Sequence, residues 1–201
     1  MSKDAFTQAA GFFVESVAKI GPTQWDDSAL GVWSVRDLVG HTSRSITRVA
    51  EFAVQPASKA DVTSAADHYH VSLAPGGINE TIAQGGRDAA ETLGDDPAAT
   101  VRASLAQVLP ILDGIPEDAL IAYPNGGIRL EHYLQTRVLE LVAHTLDLLA
   151  AIDVDHQPPR VALLSTLHLL ADLAADSGFG GQLVLLATGR DITPNRFSVL
   201  G

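Results

Sequence analysis

The amino-acid sequence predicts an all-α fold. Apolar residues recur at helical spacing in several windows, and stretches of alternating β-branched residues are nearly absent. Glycine and proline fall between those windows, where helices stop. With 201 residues and 46% hydrophobic content, the chain can bury a core as one domain, or as one domain with a small appendage.

Taken in order, a first helix is expected over residues 4–20, with Phe6, Phe13 and Val17 facing inward and Gly21-Pro22 as its stop. A loop carrying Trp25 and Trp33 follows. Ser34 reads as an N-cap, because Asp37 three residues on completes a capping box ahead of Val35, Leu38, Val39 and Ile46. The helix that starts there carries His41. Residues 54–78 contain Pro56, Pro75, Gly76 and Gly77 and little periodicity, so they read as a long connection, in which His68 and His70 are expected to be exposed to solvent. Helices are expected again over residues 79–93 and 97–112, the second with Pro97 in its first turn and Pro110 ending or kinking it. Tyr123-Pro124-Asn125-Gly126-Gly127 is a turn signal. The longest helical pattern runs over residues 129–152, with Leu134, Val138, Leu141, Thr145 and Leu148 on its inner stripe. Residues 160–175 are nearly all apolar, which suits a buried helix or a homodimer interface, and residues 180–201 read as a short tail with a little extended structure.

Composition narrows the function classes. The absence of cysteine excludes disulfides and Cys-type zinc sites, so any thiol chemistry needs an external thiol. A formal net charge of −11, with no basic patch, argues against nucleic acid and anionic membrane surfaces as partners. Residues 1–19 lack a signal peptide's basic start and apolar run, and no segment is apolar enough to span a membrane, so a cytoplasmic location is expected.

Glu140 and His144 lie four residues apart on the long helix, which puts both side chains on one face where they can share an ion. Spacing alone is weak evidence, since chance supplies about one acid-x-x-x-His in such a chain and Asp37-x-x-x-His41 is a second instance. Catalytic zinc commonly takes three protein ligands, His2Glu among them, and bundles build such sites from facing helices. His41 on the second helix is the natural third ligand if the two helices pack together; by itself each of these residues reads more simply as a boundary histidine or a solvated acid. Asp147 follows His144 by three and is read either as a carboxylate that orients its imidazole or as a helix ion pair. Arg137 precedes Glu140 by three and is either its salt-bridge partner, the reading slightly preferred, or a substrate anchor. His132, eight residues before Glu140, is about 12 Å away along the axis and too far to share its ion.

The stretch GVWSVRDLVGH over residues 31–41 and the stretch YLQTRVLELVAHTLDL over residues 133–148 together resemble the mycothiol-dependent maleylpyruvate isomerase family of the DinB-like superfamily. The resemblance covers about residues 5–152 and implies a four-helix bundle in which His41, Glu140 and His144 bind a divalent metal, with an additional C-terminal helix and short tail. On that basis residues 1–152 are expected to form the metal-binding bundle and residues 153–201 a helical extension packed on it. A short motif at Leu186-Ala187-Thr188-Gly189-Arg190 is also similar to one in relatives of this size. Full isomerases of the family carry a separate C-terminal domain that helps bind the dicarboxylate. The residues after Ile152 do not resemble it, so the resemblance implies thiol chemistry in general rather than maleylpyruvate as substrate.

The expected activity is a metal-dependent transferase or isomerase-like reaction in which mycothiol or a similar small thiol attacks an electrophile, with zinc as the expected ion. A free thiol with a pKa near 8.5 is only about 3% thiolate at pH 7, so full ionisation by a metal is worth at most ~2 kcal/mol and the rest must come from holding the reactants together. A metal-dependent hydrolase is the enzymatic alternative, although the H-E-x-x-H pattern is absent. A non-catalytic helical protein that binds a ligand or partner is the third reading.

Overall fold

The computed structural model describes residues 1–72, 78–190 and 198. Four helices close into a bundle: α1 (Ser2–Val17), α2 (Val35–Ala53), α5 (Pro97–Asp113) and α6 (Leu130–Ala151), with α6 packed on α1 and α2, and α5 packed on the same two. The residues expected inside are inside. Phe6, Phe13, Leu38, Ile46, Leu134 and Leu141 are fully buried, as are the remaining members of the α6 stripe, and burial of each large apolar side chain contributes about 1.5–3 kcal/mol. No helix among the described residues is long and apolar enough to cross a membrane.

The helix α2 begins at the predicted capping box. Ser34 Oγ accepts from the Asp37 backbone N–H at 3.2 Å, and Asp37 Oδ2 accepts from the Ser34 N–H at 3.1 Å. The loop before it contains a short hairpin, β1 (Ser28–Leu30) with β2 (Trp33–Ser34), which turns at Gly31 with φ 58°, a backbone region that favours glycine. The helix α4 (Ile78–Glu91) lies against α2 so closely that a Cβ on Gly40 would stand 2.4 Å from the Ala90 nitrogen. His41 faces His144 while Phe52, eleven positions on, faces Tyr133, eleven positions back, so α2 and α6 run antiparallel.

Residues 54–78 are not one irregular connection. Their first part is stitched to a second hairpin, β3 (Leu120–Tyr123) with β4 (Gly126–Arg129), which forms at the predicted turn. The Ala122 N–H donates to Gln55 O at 2.7 Å and the Asp61 N–H to Gly127 O at 2.8 Å. Gly127 permits this approach, since a Cβ there would lie 1.9 Å from the Lys59 carbonyl oxygen. The segment then enters helix α3 (Ala65–Ser72), started by Ser64 Oγ, which accepts from the Asp67 N–H, and by the Asp67 carboxylate, which accepts from the Thr63 N–H. His68 is consequently buried, contrary to the expectation of solvent exposure, while His70 is half exposed as expected. Pro75, Gly76 and Gly77 lie outside the described residues.

Three further expectations change. Pro110 does not end its helix, which continues to Asp113. The helix α7 (Arg160–Asp176) packs one face on α1 and α6, burying Leu169 and Leu173 but leaving Leu167 49% exposed. Gly180–Ala187 of the expected tail form helix α8, against α7; residues 191–197 and 199–201 lie outside the described residues.

Candidate metal centre

The antiparallel contact of α2 with α6 brings His41 to Glu140 and His144, and each of the three offers a ligand atom within 4.8 Å of the other two. The His144 Nε2 stands 3.3 Å from Glu140 Oε2. On the opposite edge of the ring, Nδ1 donates to Asp147 Oδ2 at 3.1 Å, which leaves the Nε2 lone pair directed into the triad when the imidazole is neutral. The rings of His41 and His144 meet edge to face, with centroids 5.0 Å apart.

Two residues that the sequence reading passed over support this geometry. Tyr69 on α3 donates from its buried hydroxyl to Glu140 Oε1 at 2.9 Å, which holds the carboxylate by one oxygen and leaves the other facing His144. Trp33 covers His41 with ring centroids 4.4 Å apart and is itself fixed by an indole N–H bond to Ala83 O at 3.1 Å. The indole also rests on α4, where a Cβ on Gly86 would lie 3.0 Å from it. Signals for both existed. Ser64-Ala65-Ala66-Asp67 repeats the box spacing of Ser34-Val35-Arg36-Asp37 and marks the start of α3, and Trp33 stands one residue before the N-cap of α2.

The electrostatics divide the triad. Burial, reinforced by the nearby His144 charge, holds His41 down at about 4, so it is a neutral imidazole at pH 7. Burial also opposes charge on Glu140, but the His144 hydrogen bond and the Arg137 charge outweigh it and bring the carboxyl to about 2. His144 is disfavoured as a cation by burial, yet hydrogen bonds to Asp147 and Glu140 raise it to about 9. His144 and Glu140 are therefore an ion pair, and His144 would have to give up a proton to serve as a metal ligand.

The donor set fits a divalent ion. The His41 Nδ1 is buried without a hydrogen-bond partner among the described residues, an unusual state for a ring nitrogen. Two imidazoles and one carboxylate form an established zinc set with a position left for water or substrate. Other sequence candidates fall elsewhere: Asp37 is occupied in its cap, and His132 lines a separate cavity with His168 and Glu117. Arg137 forms no salt bridge with Glu140 among the described residues, contrary to the slightly preferred reading; its guanidinium lies over the Tyr133 ring, 5.2 Å from the centroid. Tyr69 shares an apolar cluster with Leu169 and Leu173 of α7, so the support of Glu140 extends past the two ligand-bearing helices.

The model of the mycothiol maleylpyruvate isomerase N-terminal domain family matches residues 6–149, from α1 to the end of the helix that carries Glu140 and His144. The chain belongs to this family. Its helical architecture is that of the DinB-like superfamily, to which the domain belongs, and the match spans all three residues of the triad. Among curated proteins and among solved structures, no relative matches.

Proposed function

We propose that the chain is a metal-dependent thiol-using enzyme, transferase or isomerase-like, with His41, Glu140 and His144 as ligands of one divalent ion, zinc by the chemistry of the set, and mycothiol or a similar small thiol as cosubstrate. The observation that carries this reading is the convergence of those three ligand atoms within 4.8 Å, inside the region that matches a mycothiol-related family. When bound, the ion supplies Lewis acidity that ionises a thiol near neutral pH.

The protein's residues do the rest. Asp147 fixes the His144 tautomer, and Tyr69 fixes the Glu140 rotamer, so the ligands are oriented before the ion arrives. Trp33 walls the His41 side of the site. We take residues 1–152 as the metal-holding unit and residues 153–201 as an extension, with α7 packed on α1 and α6.

Zinc-loaded protein incubated with 1-chloro-2,4-dinitrobenzene, with and without mycothiol, tests the reading. Thiol-dependent loss of the electrophile that disappears in His144→Ala is expected. Turnover equal with and without thiol would instead identify a hydrolase, and absence of turnover with a panel of such electrophiles would favour a non-catalytic role.

A further inference from the structure

A cavity of about 200 Å³ lies beside the triad, and its wall includes Arg44, Arg48, Arg137, His68, Tyr123 and Tyr133. Arg44 is three residues after His41 on α2, and Arg137 three residues before Glu140 on α6. Because the helices are antiparallel, both steps lead the same way, about 4.5 Å along the bundle. The cavity and the triad are neighbours on one inter-helix groove.

Its charge is what needs explaining. A chain with 13 basic residues against 24 acidic ones places three arginines on this one small wall. Arg48 is the one with a carboxylate within 4 Å among the described residues, Glu51 at 2.7 Å. Arg44 has no hydrogen bond or ion pair with a described residue, and its guanidinium rests against the backbone at Gly85, where a Cβ would stand 2.6 Å from Nη1. Arg137 donates one N–H to Thr136 Oγ1 at 3.1 Å and turns Nη2 toward His68 Nε2 at 3.4 Å. With that nitrogen accepting, the His68 proton resides on Nδ1 and is donated to the Tyr123 hydroxyl at 3.2 Å, which leaves the phenol proton to donate in turn. The result is a set of positive and donor groups in which neither Arg44 nor Arg137 has a carboxylate within 4 Å among the described residues, although the charges of Asp88 and Glu140 reach them, and Phe52, Tyr123 and Tyr133 add aromatic lining.

We propose that this cavity is an anion subsite that holds the carboxylate of a flat, ring-sized substrate through Arg44 and Arg137. The planar guanidinium fork matches a carboxylate, the aromatic lining from Phe52, Tyr123 and Tyr133 suits an apolar ring, and the neighbouring triad would receive whatever the ring carries. Calling the occupant the electrophile rests on the thiol-transfer reading; the anion subsite itself does not.

Benzoate and its uncharged isostere benzamide, titrated calorimetrically into the full chain stripped of metal with EDTA, test the subsite apart from the metal. Benzoate is expected to bind one per chain, at least about tenfold tighter than benzamide, with the advantage lost in Arg44→Gln and Arg137→Gln and retained in His144→Ala. Benzoate binding no better than benzamide, or an advantage intact in Arg44→Gln, would overturn the proposal. Arg137 is deep in the structure, so if its variant fails to fold, Arg44→Gln, at a partly exposed position, decides alone. Benzoate discrimination by a chain that binds no zinc would keep the subsite and sink the metal reading.

Discussion

Asp147 Oδ2 accepts from His144 Nδ1 at 3.1 Å on the edge of the imidazole opposite Glu140, so one carboxylate sets the tautomer and the other shares the lone pair's side. Removing this orienting bond should weaken metal binding without removing a ligand. Asp147→Ala is expected to lower zinc affinity by about 10- to 100-fold, and Asp147→Asn by less, since its amide oxygen still accepts. Competition against a chromophoric chelator measures both.

Tyr69 joins α3 to the site through Glu140 and through the Thr136 carbonyl at 3.2 Å. Tyr69→Phe leaves both acceptors without that donor in a buried setting, and should destabilise the protein by about 1–3 kcal/mol in urea unfolding at unchanged m-value. A loss within error of zero would mean that water replaces the hydroxyl.

Gly40 and Gly11 make a matched pair. A Cβ at Gly40 meets the α4 backbone at Ala90, which cannot swing aside, so Gly40→Ala should separate α2 from α4 and destabilise by about 1–3 kcal/mol or more. Gly11 is inside α1 with nothing within 4 Å of its Cβ, and Gly11→Ala should stabilise by about 0.5–1 kcal/mol. Thermal melts of the two variants are expected to move in opposite directions.

Stability of the metal-free protein should peak near pH 6.5. Below that, His41 and His68, both held by burial at about 4, take up protons more readily when unfolded, so stability falls as the pH drops from 6.5 toward 4. Each contributes at most about 3 kcal/mol to that loss. Above it the sign reverses, because His144 at about 9 holds its proton in the folded state where the unfolded chain has lost it, and stability declines between pH 6.5 and 9. Urea midpoints across pH 4.5–9 test both arms. In His144→Gln the alkaline decline should vanish and in His68→Gln the acid decline should shrink.

The bundle was legible because its helices carry long apolar stripes, as Leu134 to Leu148 do, and because Ser34 with Asp37 marks a helix start within a few residues. Short elements were not. The hairpin at Gly31 has too few residues to alternate, α3 hides among Pro and Gly, and α8 is apolar on every side and reads as a tail. At the site, Glu140 and His144 are one helical turn apart and visible as a pair, but Tyr69 reaches Glu140 across 71 positions and His68 reaches Arg137 across 69. Such contacts depend on the packing of α3, which no local pattern in residues 54–78 encodes beyond its cap.

Metal content of the full chain, purified without added metal and measured by plasma mass spectrometry beside His41→Ala, Glu140→Gln and His144→Ala, tests the central claim most directly. About one divalent ion per wild-type chain, lost or strongly reduced in all three folded variants, is the predicted result. A wild-type chain that neither carries nor takes up a divalent ion, or variants that keep the full complement, would contradict it.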